Sequence, residues 1–412
     1  MSMSAIDVNG RHYRLPRQPT VVICFDGCDP QYIERGITDG VLPTIAALRQ
    51  AGFSAIAEAA MPTFTNPNNV SIVTGVPPAV HGISGNYVLD RATGEERMIT
   101  DATLMRCGTI LAGLADAGAR IAVVTAKDKL LRMLARDLRG IAFSSEYADR
   151  ANLEDNGIAD VEAMVGRGKP DQYSADLSLF VLDAGLALLR RGAADVYYLS
   201  LSDYVQHGHA PGEAEADAFN RAVDDRIRAM MAAGALVGVV ADHGMNDKAK
   251  PDGSPNVVFL EQALNARFGE GAVTVICPIT DPFVRHHGAL GSFVRVYRRH
   301  GDLQAMIAAT AALPGVAAVL DGAMAAQRHE MPLDLEGDFV AIGDAATVIG
   351  ASREKHDLSG LAGHRLRSHG GLAEQKVPFI VSQPLNAAYA EVAAHRRLRN
   401  FDIFDFVLNG VG

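Results

Sequence analysis

Seven side chains of types that hold divalent cations or attack phosphorus stand out by where they fall: Asp26, Thr65, Asp203, His207, Asp242, His243 and His369. They comprise three carboxylates, three imidazoles and a hydroxyl. Zinc takes nitrogen and oxygen donors in four-fold geometry, and hydrolases with two metals hold them about 3.5–4 Å apart. Seven donors suit two such ions with room left for a substrate oxygen. Asp203 and His207 are four apart, so a helical turn puts them on one face. Asp242 and His243 are adjacent where an apolar run ends, and there the chain can bend to aim both at one ion. Gly208, Gly244 and Gly370 follow the three segments and let backbone pass close to a metal. Each feature alone has a plain reading: a helical surface pair, a turn, an exposed loop histidine. Their joint placement at the ends of expected strands is what points to chemistry.

Thr65 lies in the stretch from Met61 to Gly75, a stiff loop that turns into a helix. Pro62 and Pro67 stiffen the entry, Thr63, Thr65 and Asn66 are capping types, and Val70, Ile72 and Val73 follow a helical pattern. Free backbone N–H groups and the positive end of the helix dipole would receive a phosphate or phosphonate there. Read alone, Thr65 is an ordinary N-cap. Beside six cation-ligand types it reads as a nucleophile whose hydroxyl ionises only with help from a metal.

The elements that must position these groups follow from periodicity. Short apolar runs at Thr20–Phe25, Ile121–Thr125, Asp195–Leu201 and Ala235–Ala241 predict buried strands, with further strands at Ser54–Ala60 and Val377–Val381. Helical patterns fall at Leu42–Gln50, Thr103–Ala117, Leu177–Arg191, Ala214–Ala233 and Asn400–Leu408. This alternation, with polar motifs at strand C-termini, predicts an α/β fold: a three-layer α/β/α sandwich on a mostly parallel sheet. Lys250–Pro255 carries two prolines and a glycine and marks a boundary. The β-β-α-β pattern after it predicts a small inserted α+β cap over 256–336, with the catalytic core at 1–255 and 337–412. Phe339–Gly343 and Val348–Gly350 read as a return to the main sheet.

Composition narrows the partners. The chain has 412 residues, 48% of them hydrophobic and 21% charged, with a net charge of −10. That balance argues against a nucleic-acid surface or an anionic membrane as partner. No apolar run reaches the ~20 residues of a membrane helix. Met1–Thr20 lacks the pattern of a signal peptide, so a cytoplasmic location is expected. Four cysteines are too few for a disulfide framework, and Cys24 and Cys28 read as core thiols. His81, His209, His286, His287, His300, His329, His356 and His364 fit no ligand pattern; His209 and His364 are expected nearest the site.

Several motifs together resemble one family. They are Asp26-Gly after an apolar strand, Pro62-Thr-Phe-Thr65-x-Pro-Asn, Ser71-Ile-Val-Thr-Gly75, His81-Gly-Ile, Asp203-x3-His207, Asp242-His243-Gly-Met and His369-Gly. The set resembles the alkaline phosphatase superfamily, most of all its nucleotide pyrophosphatase/phosphodiesterase branch. The resemblance implies two zinc ions, one held by Asp26, Thr65, Asp242 and His243, the other by Asp203, His207 and His369. It also implies attack by Thr65 and a phospho-threonine intermediate.

Asn86, the pair Lys127-x-Lys129 and the run Asp203-Tyr-Val-Gln-His207 resemble the members that hydrolyse the carbon–phosphorus bond of phosphonoacetate to acetate and phosphate. The substrate-binding residues implied are Thr65, Asn86, Lys127, Lys129 and His369. The substrate fits the residues: its departing carbon can pass charge to a carboxylate, and two lysines would clamp that carboxylate. The branch usually has His where this chain has Asn69, which separates it from nucleotide-cleaving members. The alternative is a phosphodiesterase or nucleotide pyrophosphatase on the same two metals. It needs an aromatic slot for a base, and the chain has no Trp and only 6% aromatics. A phosphomutase and a non-catalytic binding protein are further options. The partner expected is a small-molecule phosphonate, and the assembly considered is a homodimer.

Overall fold

Runs that are apolar and buried at every position build the middle of the molecule: Thr20–Cys24, Ile121–Thr125, Val196–Ser200 and Leu236–Val240. The computed structural model describes residues 5–283, 285, 287–361 and 363–412. Seven strands form the main sheet, in the order Phe53–Glu58, Lys376–Val381, Leu236–Val240, Thr20–Cys24, Val196–Ser200, Ile121–Thr125, Ile141–Ser144. From Leu236–Val240 to Ile141–Ser144 all neighbours are parallel. Lys376–Val381 runs against both of its neighbours, so the sheet is mixed.

Register decides where the chemistry goes. Cys24 lies opposite Val240 and Ser200, and Ser200 opposite Thr125. Four central strands therefore end level, and the loops bearing Asp26, Lys127, Asp203 and Asp242 leave from one rim. Helices cover both faces. Pro30–Thr38, Pro43–Ala51, Asp176–Arg190 and Ala214–Ala232 lie on one side; Thr65–Thr74, Ile110–Asp116, Asp128–Leu134 and Ile403–Asn409 lie on the other. The approach is close: a Cβ on Gly238 would meet Val407 at 2.8 Å and Ile403 at 3.2 Å. Each fully buried Val or Leu in these layers contributes about 1.5–3 kcal/mol of transfer free energy.

A second, four-stranded sheet is antiparallel throughout, in the order Val273–Ile276, Phe293–Arg298, Phe339–Gly343, Val316–Asp321. Phe339–Gly343 thus belongs to this small sheet and not, as its composition suggested, to the main one. Val348–Gly350 pairs in parallel with Val257–Phe259. The small sheet therefore draws chain from beyond residue 336. An apolar run that is buried on both faces reports burial, not which sheet it joins. The unit is pinned to the core by Arg295, which is fully buried, pairs with Glu336 at 2.6 Å and donates through Nη2 to the Ser84 carbonyl at 3.0 Å.

Two helices differ from expectation. The one expected from Thr103 starts at Ile110, because Thr109 takes the N-cap and accepts from the Ala112 N–H. The closing helix is a 3₁₀ turn, Asn400–Asp402, followed by Ile403–Asn409. All four cysteines are free. Among the described residues no helix is long and apolar enough to cross a membrane.

Candidate metal centre

The helix Thr65–Thr74 is buried at every position. Phe64, not Thr65, occupies its N-cap, and no side chain caps it. Thr65 is therefore the first helical residue, and its hydroxyl is not committed to a cap. Gly75 closes the helix in a left-handed conformation, and a Cβ there would strike the Tyr13 hydroxyl. The loop ahead of the helix is fixed by the Asn68 side chain. Its amide oxygen accepts from Ala60 N–H at 2.7 Å, and its Nδ2 donates to the Ala60, Pro62 and Phe64 carbonyls. Thr65 Oγ1 is thereby set 3.5 Å from His243 Nε2.

Six of the predicted ligands form two buried groups. Asp26, Asp242 and His243 make one, Asp203, His207 and His369 the other, and within each the candidate donor atoms lie within 4.8 Å of one another. The groups meet at two stacked rings: the His243 and His369 centroids are 3.6 Å apart and the planes 7° from parallel. The three imidazoles are oriented the same way. Nδ1 of His207 faces the Arg367 carbonyl at 2.7 Å, Nδ1 of His243 the Gly244 carbonyl at 2.9 Å, and Nδ1 of His369 the Thr63 carbonyl at 2.8 Å. A carbonyl only accepts, so each Nδ1 carries the proton and each Nε2 presents its lone pair inward.

The donor set fits cations. Both Asp26 oxygens are buried without a hydrogen-bond partner. A buried carboxylate left so is costly unless a positive charge faces it. Burial, reinforced by Asp203 and Asp242, pushes Asp26 well above the ordinary carboxylate range, and burial pushes Asp242 up as well. Burial lowers His207, His243 and His369, so they are neutral, as ligands must be. A dication reverses the carboxylate shifts and leaves the imidazoles unchanged. Metal binding should therefore release protons from Asp26 and Asp242, and affinity should rise with pH until both are ionised in the metal-free protein. Calorimetric titrations in buffers of different ionisation enthalpy check this; affinity that falls with rising pH would contradict it.

The remaining predicted residues lie on the same rim. Lys127 is the N-cap residue of Asp128–Leu134, Lys129 lies in the first turn of that helix, and both are buried. Lys127 Nζ donates to Asp203 Oδ1 at 2.9 Å, lies 3.8 Å from Asp26 Oδ2 and sits 5.0 Å from the Phe283 ring centre. Burial opposes its charge, but Asp203, Asp26 and Asp281 outweigh that and hold it above the usual lysine range. Lys129 Nζ donates to Asp281 Oδ2 at 2.7 Å. Burial lowers Lys129 by more than Asp281 restores, and Lys127 adds to the lowering. Asn86 accepts at Oδ1 from the Asn66 N–H at 3.2 Å, which places it at the start of the Thr65 helix.

Three neighbours were not legible as site residues. Asn69 donates to Thr65 O at 3.1 Å and Asp242 Oδ2 at 3.2 Å, and accepts from the Tyr198 and Ser200 hydroxyls at 2.7 and 2.8 Å. It orients Asp242, and a departure from a family pattern was the only signal for it. The His287 ring lies 5.3 Å from that of His207, and nothing in its local sequence marks it. Asp281 is likewise unmarked. His209 and His364 face each other at 5.4 Å and belong to neither ligand group. His286 lies outside the described residues.

A sequence profile described as type I phosphodiesterase / nucleotide pyrophosphatase matches residues 20–370, a span that holds all seven predicted ligands. The chain belongs to this family. It is 44% identical to phosphonoacetate hydrolase of Sinorhizobium meliloti 1021 over the whole of both chains, with a TM-score of 0.93. That enzyme has been solved with phosphonoacetate and with phosphonoformate. Shorter matches join the chain to phosphonoacetate hydrolase of Penicillium oxalicum, 57% identical over 30 residues, and to an ectonucleotide pyrophosphatase/phosphodiesterase of Caenorhabditis elegans, 36% identical over 75 residues. These matches cover 7% and 18% of this chain, and 42% and 9% of the two curated relatives.

Proposed function

We propose that this chain hydrolyses phosphonoacetate to acetate and phosphate, with Thr65 as nucleophile and two zinc ions as cofactors. One ion is assigned to Asp26, Thr65, Asp242 and His243, the other to Asp203, His207 and His369. The observation that carries the reading is the convergence of these groups beside two buried lysines, Lys127 and Lys129, on one rim. The full-length similarity to the Sinorhizobium meliloti enzyme supports the same substrate.

The cations, when bound, supply Lewis acidity at the phosphonyl oxygens and favour the ionised form of the Thr65 hydroxyl. The chain does the rest. Thr65 Oγ1 forms a bond to phosphorus while the carbon–phosphorus bond breaks. The released electron pair moves from carbon into the adjacent carboxylate as an enediolate. Lys127 and Lys129 stabilise that charge as it grows, and their buried setting makes each interaction stronger than it would be in water. The Thr65 hydroxyl gives up its proton to solvent as it attacks, and the carbon takes one proton back from solvent to give acetate. Water then cleaves the Thr65–phosphate ester, which releases phosphate and restores the hydroxyl. Asn86 Nδ2 donates to the Ile279 carbonyl at 3.2 Å and keeps a second N–H for a phosphonyl oxygen.

Lys127→Ala tests the leaving-group half of this reading. Loss of an ammonium that acts on developing charge should lower kcat/KM for phosphonoacetate by about 10²–10³-fold. A nitrophenyl phosphodiester, whose leaving group bears no carboxylate, should lose about tenfold at most. Metal content is measured in parallel because Lys127 touches Asp203. Equal loss on both substrates would remove the carboxylate clamp and favour a general phosphodiesterase.

A further inference from the structure

The leaving-group side of the pocket is tied to one loop of the inserted unit. Asn86 N–H donates to the Pro278 carbonyl at 2.7 Å and Asn86 Nδ2 to the Ile279 carbonyl at 3.2 Å. Asp281 holds Lys129, and Phe283 lies under Lys127. Asp281 is the odd member. It is a buried carboxylate beside the lysines proposed to hold a substrate carboxylate, where simple charge repulsion should exclude it.

Its contacts explain its presence. Lys127 and Lys129 are two buried ammonium groups, and Lys127 disfavours charge on Lys129. Asp281 Oδ2 accepts from Lys129 Nζ at 2.7 Å, and its Oδ1 accepts from the Phe283 N–H at 2.8 Å. His287 Nε2 stands 3.6 Å from Oδ1 on the other side. The carboxylate is thus anchored to its own backbone turn and fixes where the lysine nitrogen points. Asp281 itself stays ionised, because Lys129, His287 and Lys127 outweigh its burial.

We propose that Asp281 is a positioning residue for leaving-group specificity: it fixes the Lys129 ammonium beside Lys127 so that the pair receives a carboxylated phosphonate. The inference rests on the reading that the two lysines bind the substrate carboxylate.

Binding to the metal-loaded protein tests it apart from turnover. Phosphonoformate and methylphosphonate, with and without a carboxylate, are titrated calorimetrically into wild type, Asp281→Asn and Asp281→Glu. Asp281→Asn should weaken phosphonoformate by about 10–100-fold and raise KM for phosphonoacetate in step, with methylphosphonate affinity within about 3-fold of wild type. Asp281→Glu should recover most of the loss. Simple repulsion by Asp281 predicts the opposite sign, tighter phosphonoformate binding in Asp281→Asn. That result, or equal weakening of both ligands, overturns the inference. A wild type that binds phosphonoformate but leaves phosphonoacetate intact would instead defeat the proposed reaction.

Discussion

Replacement of Thr65 by alanine should end phosphate release from phosphonoacetate, with a loss of about 10⁴-fold or more in kcat. The hydroxyls that flank it in the chain are engaged elsewhere. Thr63 Oγ1 donates to the Gly371 carbonyl at 2.8 Å, and Ser71 Oγ is paired with His81 Nε2 at 2.8 Å. Direct attack by water would leave only residual turnover from binding and electrostatics. Six further ligands remain in two groups, so Thr65→Ala should keep its metal, which atomic absorption can verify. In wild type, acid quenching during turnover should trap phosphate on the peptide that contains Thr65. Near-normal turnover in the alanine variant would end the nucleophile assignment.

Removal of the cations should have the second-largest effect. Dialysis against a chelator should abolish turnover, and zinc should restore it. The protein should also lose stability, because Asp26, Asp203 and Asp242 are buried together and, without a cation, Asp26 and Asp242 must take up protons to relieve their repulsion. Lys127 offsets part of that repulsion, being 2.9 Å from Asp203 and 3.8 Å from Asp26. A site filled at about 1,000 times its Kd stabilises the fold by about 4 kcal/mol. Thermal unfolding with and without chelator should show the shift. Full activity in metal-free protein would refute the two-metal reading.

Much of this was readable from the chain, for a physical reason. Strands buried on both faces must be continuously apolar, so Thr20–Cys24, Ile121–Thr125, Val196–Ser200 and Leu236–Val240 stand out. The polar residues that end them are then exposed as a set. What hid was information held between distant segments. Phe339–Gly343 has the composition of a main-sheet strand, and only its partners, Phe293–Arg298 and Val316–Asp321, show where it belongs. Lys127 and Lys129 read in sequence only as a spaced pair, and that a helix begins between them is set by the fold around them. Asp281 could not be read at all, because its role depends on Lys129, which is 152 residues away.

The face-to-face imidazoles of His243 and His369 have a thermodynamic consequence. One plate of each compartment is also the outer side of the plate next door, and each is bolted to its own backbone carbonyl. An ion held by one ring would bear on the ring stacked against it, so occupancy of one compartment should favour occupancy of the other. Uptake of the pair should then be steeper than for two unrelated sites, and damage to either ring should empty both.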